Sequence, residues 1–211
     1  AIMRYVLGID GGATKTLACL ADENGHFLGL GRGGPSNYHW IGEEAARQEI
    51  AAAARRAFEQ AGLTPRPVAV AWLGLAGLDV LDDYEIMQPS IESLNLADRL
   101  LMDNDMVIAL AGALAGAPGA VINSGTGAIA MGRDREGRRC RADGWGHTLG
   151  DEGSGYDIGH RAIVAAMRAH DGRGPRTSLT NKLIAHLGLK NIEGLVHKVY
   201  AEDLSPKYIA A

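Results

Sequence analysis

The 211-residue chain is 46% hydrophobic and 22% charged with a net charge of -4, the profile of folded globular lobes rather than of a disordered or fibrous chain. With no basic cluster beyond Arg138, Arg139 and Arg141, the composition excludes an extended nucleic-acid surface. No apolar run approaches the roughly 20 residues that span a bilayer, and Tyr5, Val6, Leu7 and Ile9 spell a strand rather than a leader, so a cytoplasmic protein is expected.

The first elements form a three-stranded meander: an apolar run ending at Asp10, a turn at Gly11 and Gly12, the run Leu17 to Leu20, a turn from Asp22 to Gly25, then Phe27 to Leu30. Gly29, Gly31 and Gly34 spell G-x-G-x-x-G, but Pro35 follows and no helix opens there, so a strand end and loop are read instead of a dinucleotide site. Lys15 and Thr16 imitate the end of a Walker A loop. Thr14 stands where that loop needs glycine and a strand follows, so it is rejected. Glu43 to Ala61 carries Ala46, Ile50, Ala53, Ala54, Ala57 and Phe58 at helical spacing, with Gly62 just past its end. Val68 to Leu73 reads as a buried strand, Asp82 to Ser93 as a helix, Leu100 to Met102 as a strand tip and Met106 to Ala115 as a helix, an alternation that implies parallel pairing.

A second meander then repeats the first: Ala120 to Asn123, a turn from Ser124 to Gly127, Ala128 to Met131, a turn from Asp134 to Gly137, and a short strand near Arg138 to Arg141. Ile158 to Ala169, Leu179 to Leu187 and Leu195 to Ala201 are helical, with no further strand pattern. Two similar lobes are expected, 1–117 and 118–211, the second short of strands. Cys19 and Cys140 lie far apart with no Cys-x-x-Cys, which gives no support to a metal cage or disulfide; both read as buried strand residues.

The two hairpins carry the chemistry. In Asp10-Gly11-Gly12-Ala13-Thr14 and Ser124-Gly125-Thr126-Gly127, glycine permits a tight turn with amides aimed outward, and threonine adds a hydroxyl, a combination able to cradle anionic oxygen. An ordinary Asp-Gly hairpin is the plainer reading of the first. Its recurrence in a matching position favours phosphate. A carboxylate at the tip of the first strand suits Mg²⁺ held through water, and Asp10 is the candidate.

These hairpins resemble the phosphate motifs of the actin, Hsp70 and hexokinase superfamily. Pro35-Ser36-Asn37-Tyr38-His39-Trp40, Asp103-Asn104-Asp105, Ser124-Gly125-Thr126-Gly127 and the stretch from Gly144-Trp145-Gly146-His147 to Gly150-Asp151-Glu152-Gly153-Ser154 are similar to the N-acetylglucosamine kinase group of the BadF/BadG/BcrA/BcrD ATPases. The resemblance implies an α/β, actin-like (ribonuclease H-like) fold of two lobes with a ligand cleft between them. It implies transfer of the γ-phosphate of ATP to an amino-sugar hydroxyl, with Mg²⁺, no nucleic-acid or membrane partner, and room for a homodimer. Asp10, Gly11, Gly12, Thr14, Lys15, Gly125, Thr126 and Gly127 are then the nucleotide residues; Asn37, Asp105, Gly144, Trp145, Gly146 and Asp151 line the sugar pocket, with Asp105 as the base. Phosphoryl transfer needs positioning and charge neutralisation more than covalent chemistry, so such a set suffices.

Each residue has a plainer alternative. Asp105 could serve only as N-cap of the helix starting at Met106, Trp145 as a core aromatic, Asp151 and Glu152 as the acidic first turn of the next helix, and Asn37 as a turn residue. After the second hairpin the vertebrate-like pattern has polar residues that touch the sugar, whereas this chain has Ala128 and Ile129. No glycine-rich adenosine loop lies between Asp171 and Ala211, so the chain reads as incomplete at its C-terminus. Two other classes share the fold: an ATP-driven activator of acyl-CoA dehydratases or reductases, which needs interface thiolates, and a sugar sensor without catalysis. Glucosamine or another hexose is the alternative acceptor.

Overall fold

Alternation of apolar with small or polar residues along the first 33 positions folds into three antiparallel strands, β1 (Tyr5–Gly11), β2 (Thr16–Asp22) and β3 (Phe27–Gly33). The computed structural model describes residues 4–201 and 205–210. The chain divides into two compact units, Ala1–Ala117 and Pro118–Ala211.

In the first unit, β4 (Val68–Leu75) pairs parallel with β1, and β5 (Ala97–Asn104) pairs parallel with β4, giving a five-stranded sheet of order β3-β2-β1-β4-β5. A short α1 (Tyr38–Ile41) precedes α2 (Glu43–Gln60), α3 (Leu81–Glu92) links β4 to β5, and α4 (Asp105–Leu114) follows β5. The spacing of Ala46, Ile50, Ala53, Ala54, Ala57 and Phe58 is reproduced as the buried stripe of α2. That stripe packs on Leu7, Ile9, Ala18, Leu20 and Leu73, whose alternation points them all to one face. The formal G-x-G-x-x-G is explained by this packing. A methyl on Gly31 would overlap the Ala53 carbonyl oxygen, and one on Gly29 that of Ala57, so small residues let α2 lie directly on β3. The structure extends β5 well beyond the expected tip, because its parallel ladder with β4 runs the full length from Ala97 to Asn104.

The second unit repeats the meander in β6 (Gly119–Ser124), β7 (Ala128–Arg133) and β8 (Arg139–Asp143), an antiparallel sheet of order β6-β7-β8. Then come α5 (Gly155–His170), α6 (Leu179–His186), α7 (Gly194–Ala201) and the unforeseen short α8 (Pro206–Ile209). Ala166, Ile192 and Leu195 form their own small core with Ile163, Met167 and Leu183. No strand follows β8 among the described residues. The cysteines do lie in strands, Cys19 in β2 and Cys140 in β8, but both are exposed rather than buried. Cys19 alternates away from the face that α2 covers, and in the β8 edge strand Cys140 is equally uncovered.

The close helix–sheet packing sets a stability test. Gly31→Ala must push α2 off β3 and is expected to lower stability by about 3 kcal/mol. Gly8→Ala, where an added methyl meets nothing within 4 Å, should stay within about 0.5 kcal/mol. Urea titration followed by circular dichroism compares the two.

Candidate functional site

The first hairpin turns between β1 and β2 with the Gly12 amide donating to the Lys15 carbonyl at 2.9 Å. That amide therefore closes the turn instead of facing outward, and the Gly125 amide does the same in the second hairpin by donating to Gly127 O at 2.8 Å. The outward-facing glycine amides expected from sequence are corrected to this extent. Ala13, Thr14 and Lys15, and Thr126 in the other hairpin, remain as the outer part of each turn. The Gly12 carbonyl accepts from the Ser36 amide at 2.9 Å, and the buried Thr16 hydroxyl donates to Gly34 O at 2.8 Å and lies in hydrogen-bond contact with Ser36 Oγ, also at 2.8 Å. The Gly11 carbonyl accepts from Ala76 N at 2.8 Å. The hairpin is thus tied to the two segments that carry Asn37 and Gly77.

Register sets Asp10 beside Gly74 and Gly74 beside Asp103, so the two carboxylates share one face, two strands or about 10 Å apart. Asp10 reaches solvent, yet partial burial raises its pKa above the ordinary carboxylate value, with Lys15 acting the other way. A partly desolvated carboxyl at a strand tip can serve a divalent cation. No group of three His, Cys, Asp or Glu side chains gathers around it or elsewhere among the described residues, so the donor set fits a cation held largely by water and phosphate oxygens. Asp103 accepts from Trp72 Nε1 at 3.0 Å.

Asn37 caps α1, its Oδ1 accepting from His39 N at 3.1 Å, so the turn role was correct as far as it went. The helix is held from behind by Asp83, a carboxylate only 4% exposed. Asp83 accepts from Tyr38 Oη at 2.5 Å and from the amides of Asp79 and Val80 at 2.7 and 2.8 Å, and pairs with His39 Nε2 at 3.2 Å. Burial works against its charge, but those donors outweigh it and hold its pKa below the usual range. The same loop reaches β5 through Asp79 Oδ1, which accepts from Asn104 Nδ2 at 3.1 Å. Asn104, not Asp105, is the N-cap of α4, its Oδ1 accepting from Met106 N at 3.0 Å. The cap alternative for Asp105 is thereby corrected: Asp105 is the first helical residue, directly after β5. Asn37, Asp105 and the hairpin lie together at the carboxyl ends of β1, β4 and β5, where open parallel sheets place ligands.

In the second unit the Ser124–Gly127 hairpin rests on the start of α5. Gly125 O accepts from Gly155 N at 2.8 Å, and Ser124 Oγ donates to Gly153 O at 3.0 Å. Asp151, 9% exposed, directs Oδ1 to Ala128 N at 3.2 Å. Neither Asp151 nor Glu152 belongs to the first turn of α5, because Ser154 caps that helix by accepting from Asp157 N and Asp157 is its first-turn acid. Trp145 is 52% exposed, not a core aromatic, and the Arg141 guanidinium lies over its ring at 4.1 Å. Gly125, Thr126, Gly127, Gly144, Trp145, Gly146 and Asp151 all belong to the second unit, and Asp10, Gly11, Gly12, Thr14, Lys15, Asn37 and Asp105 to the first. Ser36 and Asn104 were legible only as members of motifs, while Gly77, Asp83, Arg141 and Asp143 were not anticipated as supports of the site. Only Asp83, an acid three residues into a helix opening at Val80, carries a readable signal.

Residues 7–211 match the pattern of the BadF/BadG/BcrA/BcrD ATPase family. The chain belongs to this family. It is 37% identical over 209 residues to the N-acetylmuramic acid/N-acetylglucosamine kinase of Clostridium acetobutylicum, covering 99% of this chain and 68% of that protein. It is 36% identical to the N-acetyl-D-glucosamine kinase of Dictyostelium discoideum over 92% of this chain and 64% of that one. The chain therefore spans about two thirds of the length of these relatives. A candidate N-acetylglucosamine kinase from Chromobacterium violaceum superposes with a TM-score of 0.76 at 31% identity, over 99% of this chain and 71% of that chain. The fold of this family member is the mixed α/β fold of the actin-like ATPases.

Gly77 sits at φ +94°, and an added Cβ would lie 2.9 Å from Asn37 Oδ1. Gly77→Ala is expected to displace Asn37 and loosen the start of α1, so that amide hydrogen exchange at His39 runs about tenfold faster than in the wild type. The Tyr38 pKa is pushed up to about 12, by burial first and then by its bond to Asp83. A phenol whose folded pKa is raised lends stability that is full below its unfolded value of about 10 and is lost as pH climbs through the folded one. Tyr38→Phe should therefore leave tyrosinate absorbance unchanged at about pH 11 and remove one tyrosinate only above it, as a spectrophotometric titration would show.

Proposed function

We propose that this family member is an ATP-dependent amino-sugar kinase, with N-acetylglucosamine as the acceptor and its 6-phosphate as product. The observation that carries the reading is the paired turn: two glycine- and threonine-bearing hairpins, each joining the first two strands of its unit, in a chain whose relatives are named as kinases of such sugars. Thr14 and Lys15 in the first hairpin and Thr126 in the second hold the phosphates, a hydroxyl or ammonium serving each anionic oxygen. Asp10 retains Mg²⁺ through water. The cation supplies charge neutralisation on the phosphate oxygens when bound. Asn37, Trp145 and Asp151 position the sugar, and Asp105 accepts the proton of the attacking hydroxyl. Its place supports that role: it is the first residue of α4, directly after the carboxyl end of β5. The reading also carries a cytoplasmic location; no helix among the described residues is long and apolar enough to cross a membrane.

The activator alternative finds nothing favourable in the two cysteines. Cys19 and Cys140 are exposed, but Cys19 lies within the first hairpin on β2 and Cys140 on β8, a meander strand of the second unit.

The deciding experiment is coupled ADP release with N-acetylglucosamine, glucosamine, N-acetylmuramic acid and glucose. An amino sugar is expected to give the highest kcat/KM, and glucose preferred over all of them refutes the reading. Asp105→Asn leaves the Asn104 cap intact and should lower kcat by about 10² to 10⁴ with thermal melting unchanged. Asp10→Asn should instead show a defect that added magnesium relieves. Turnover of Asp105→Asn within a few-fold of wild type removes the base assignment.

A further inference from the structure

The segment from Gly144 to Glu152 carries all four second-unit sugar candidates, yet it contains no helix or strand. Such a loop normally wanders, because each ordered residue costs about 1–2 kcal/mol of backbone entropy. Something must hold it.

The holder is at its base. Asp143, the last residue of β8, accepts with Oδ1 from Gly144 N at 2.8 Å and from Asp151 N at 2.7 Å, and with Oδ2 from Glu152 N at 2.7 Å. One carboxylate thus grips the first residue of the loop and two of its last, closing the loop from Gly144 to Glu152 on itself. The grip is charge-assisted, the stronger kind of hydrogen bond. It forces a local cost: Asp143 stands at φ +65° and Asp151 at φ +60°, in the left-handed region that non-glycine residues enter only when their surroundings compel it. The space above the carboxylate is equally tight, since a Cβ on Gly150 would overlap Asp143 Oδ1. From the same strand, Arg141 Nε donates to Asp143 O at 3.0 Å and its Nη2 to Gly144 O, while the guanidinium plane lies over the Trp145 indole.

We propose that Asp143 is a positioning residue for the acceptor: its carboxylate templates the 144–152 loop, which fixes Asp151 against Ala128 N and presents Trp145, with Arg141 as the second clamp. Asp143 touches no reacting atom in this scheme. It acts through Gly144, Trp145 and Asp151. That the loop serves an amino sugar rests on the kinase reading above, whereas the grip of Asp143 on the loop does not.

The test uses Asp143→Asn in the full chain. Asparagine tolerates positive φ and keeps the size, but it has one carbonyl and one NH2, so one side of the grip becomes donor against donor. Amide hydrogen exchange of the ligand-free protein should speed up about tenfold or more at Gly144, Asp151 and Glu152, with β6 to β8 unchanged. In kinetics the acceptor KM should rise at least tenfold while the ATP KM stays within a factor of about two. Gly150→Ala, which crowds the carboxylate with Asp143 still present, should give the same exchange pattern, and it stands in should the first variant fail to fold. Wild-type exchange at the three amides in both variants overturns the proposal. So does an equal loss in acceptor and ATP KM, which marks a merely structural residue. If the wild-type protein phosphorylates no sugar, the kinase reading falls, and the exchange data still decide the role of Asp143 in the loop.

Discussion

Parallel pairing of β1, β4 and β5 is the constraint on which the first unit depends. A parallel ladder brings the carboxyl ends of three strands to one edge, and their connections must all turn there. The turn after β1 is the glycine hairpin, the turn after β4 is the Ala76–Val80 loop, and the end of β5 is Asn104–Asp105. Of these segments only the Ala76–Val80 loop drives a large apolar side chain, Leu78, into the core. They are ordered by each other: Ala76 N on Gly11 O, Ser36 N on Gly12 O, and Asn104 Nδ2 on Asp79. Buried polar groups at such an edge are costly unless satisfied, and satisfied ones are rigid. Among the described residues no buried side-chain polar atom lacks a partner.

Asp83 shows how the cost is met. A buried carboxylate with a single partner would favour protonation, yet here four donors from α1 and the 79–80 turn converge on it. The charge is kept, and with it the orientation of the helix that Asn37 caps. Asp143 solves the same problem in the second unit with backbone amides alone; the Asp151 amide foremost, then those of Glu152, Gly144 and Trp145, hold its pKa low against partial desolvation. Both units thus place a carboxylate behind the residues assigned to the ligand, where it binds protein amides and hydroxyls instead of substrate.

The repeat in sequence also has a physical limit. The hairpins recur because a tight turn between antiparallel strands is specified locally by its glycines and the strand pattern on either side, although the first loop has one residue more than the second. What surrounds them differs. The first hairpin leans on Ser36 and Thr16, the second on Gly153 and Gly155 at the start of α5. Ile129 shows the difference at one position: it packs beneath Gly144, where a Cβ would come within 2.7 Å of it, so this apolar residue supports the loop from below.

Local signals determined much of this protein. Period-two and helical patterns set β1 to β4 and α2, down to its six buried residues, because those patterns are the imprint of one-sided burial. The glycine hairpins, the Asp-Asn-Asp end of β5 and the Gly-Trp-Gly to Gly-Asp-Glu-Gly-Ser stretch were legible as motifs, and with them the family. Tertiary structure decided the rest. Whether Asn104 or Asp105 caps α4 depends on which side chain meets Met106 N, a matter of about 3 Å that neighbouring residues of similar chemistry do not reveal. The roles of Asp83, Arg141 and Asp143 come from partners brought near by the fold, since a carboxylate's function is set by the donors around it rather than by its own identity. The exposure of Cys19 and Cys140 was likewise decided by which sheet face a helix covers, a choice that strand alternation alone leaves open.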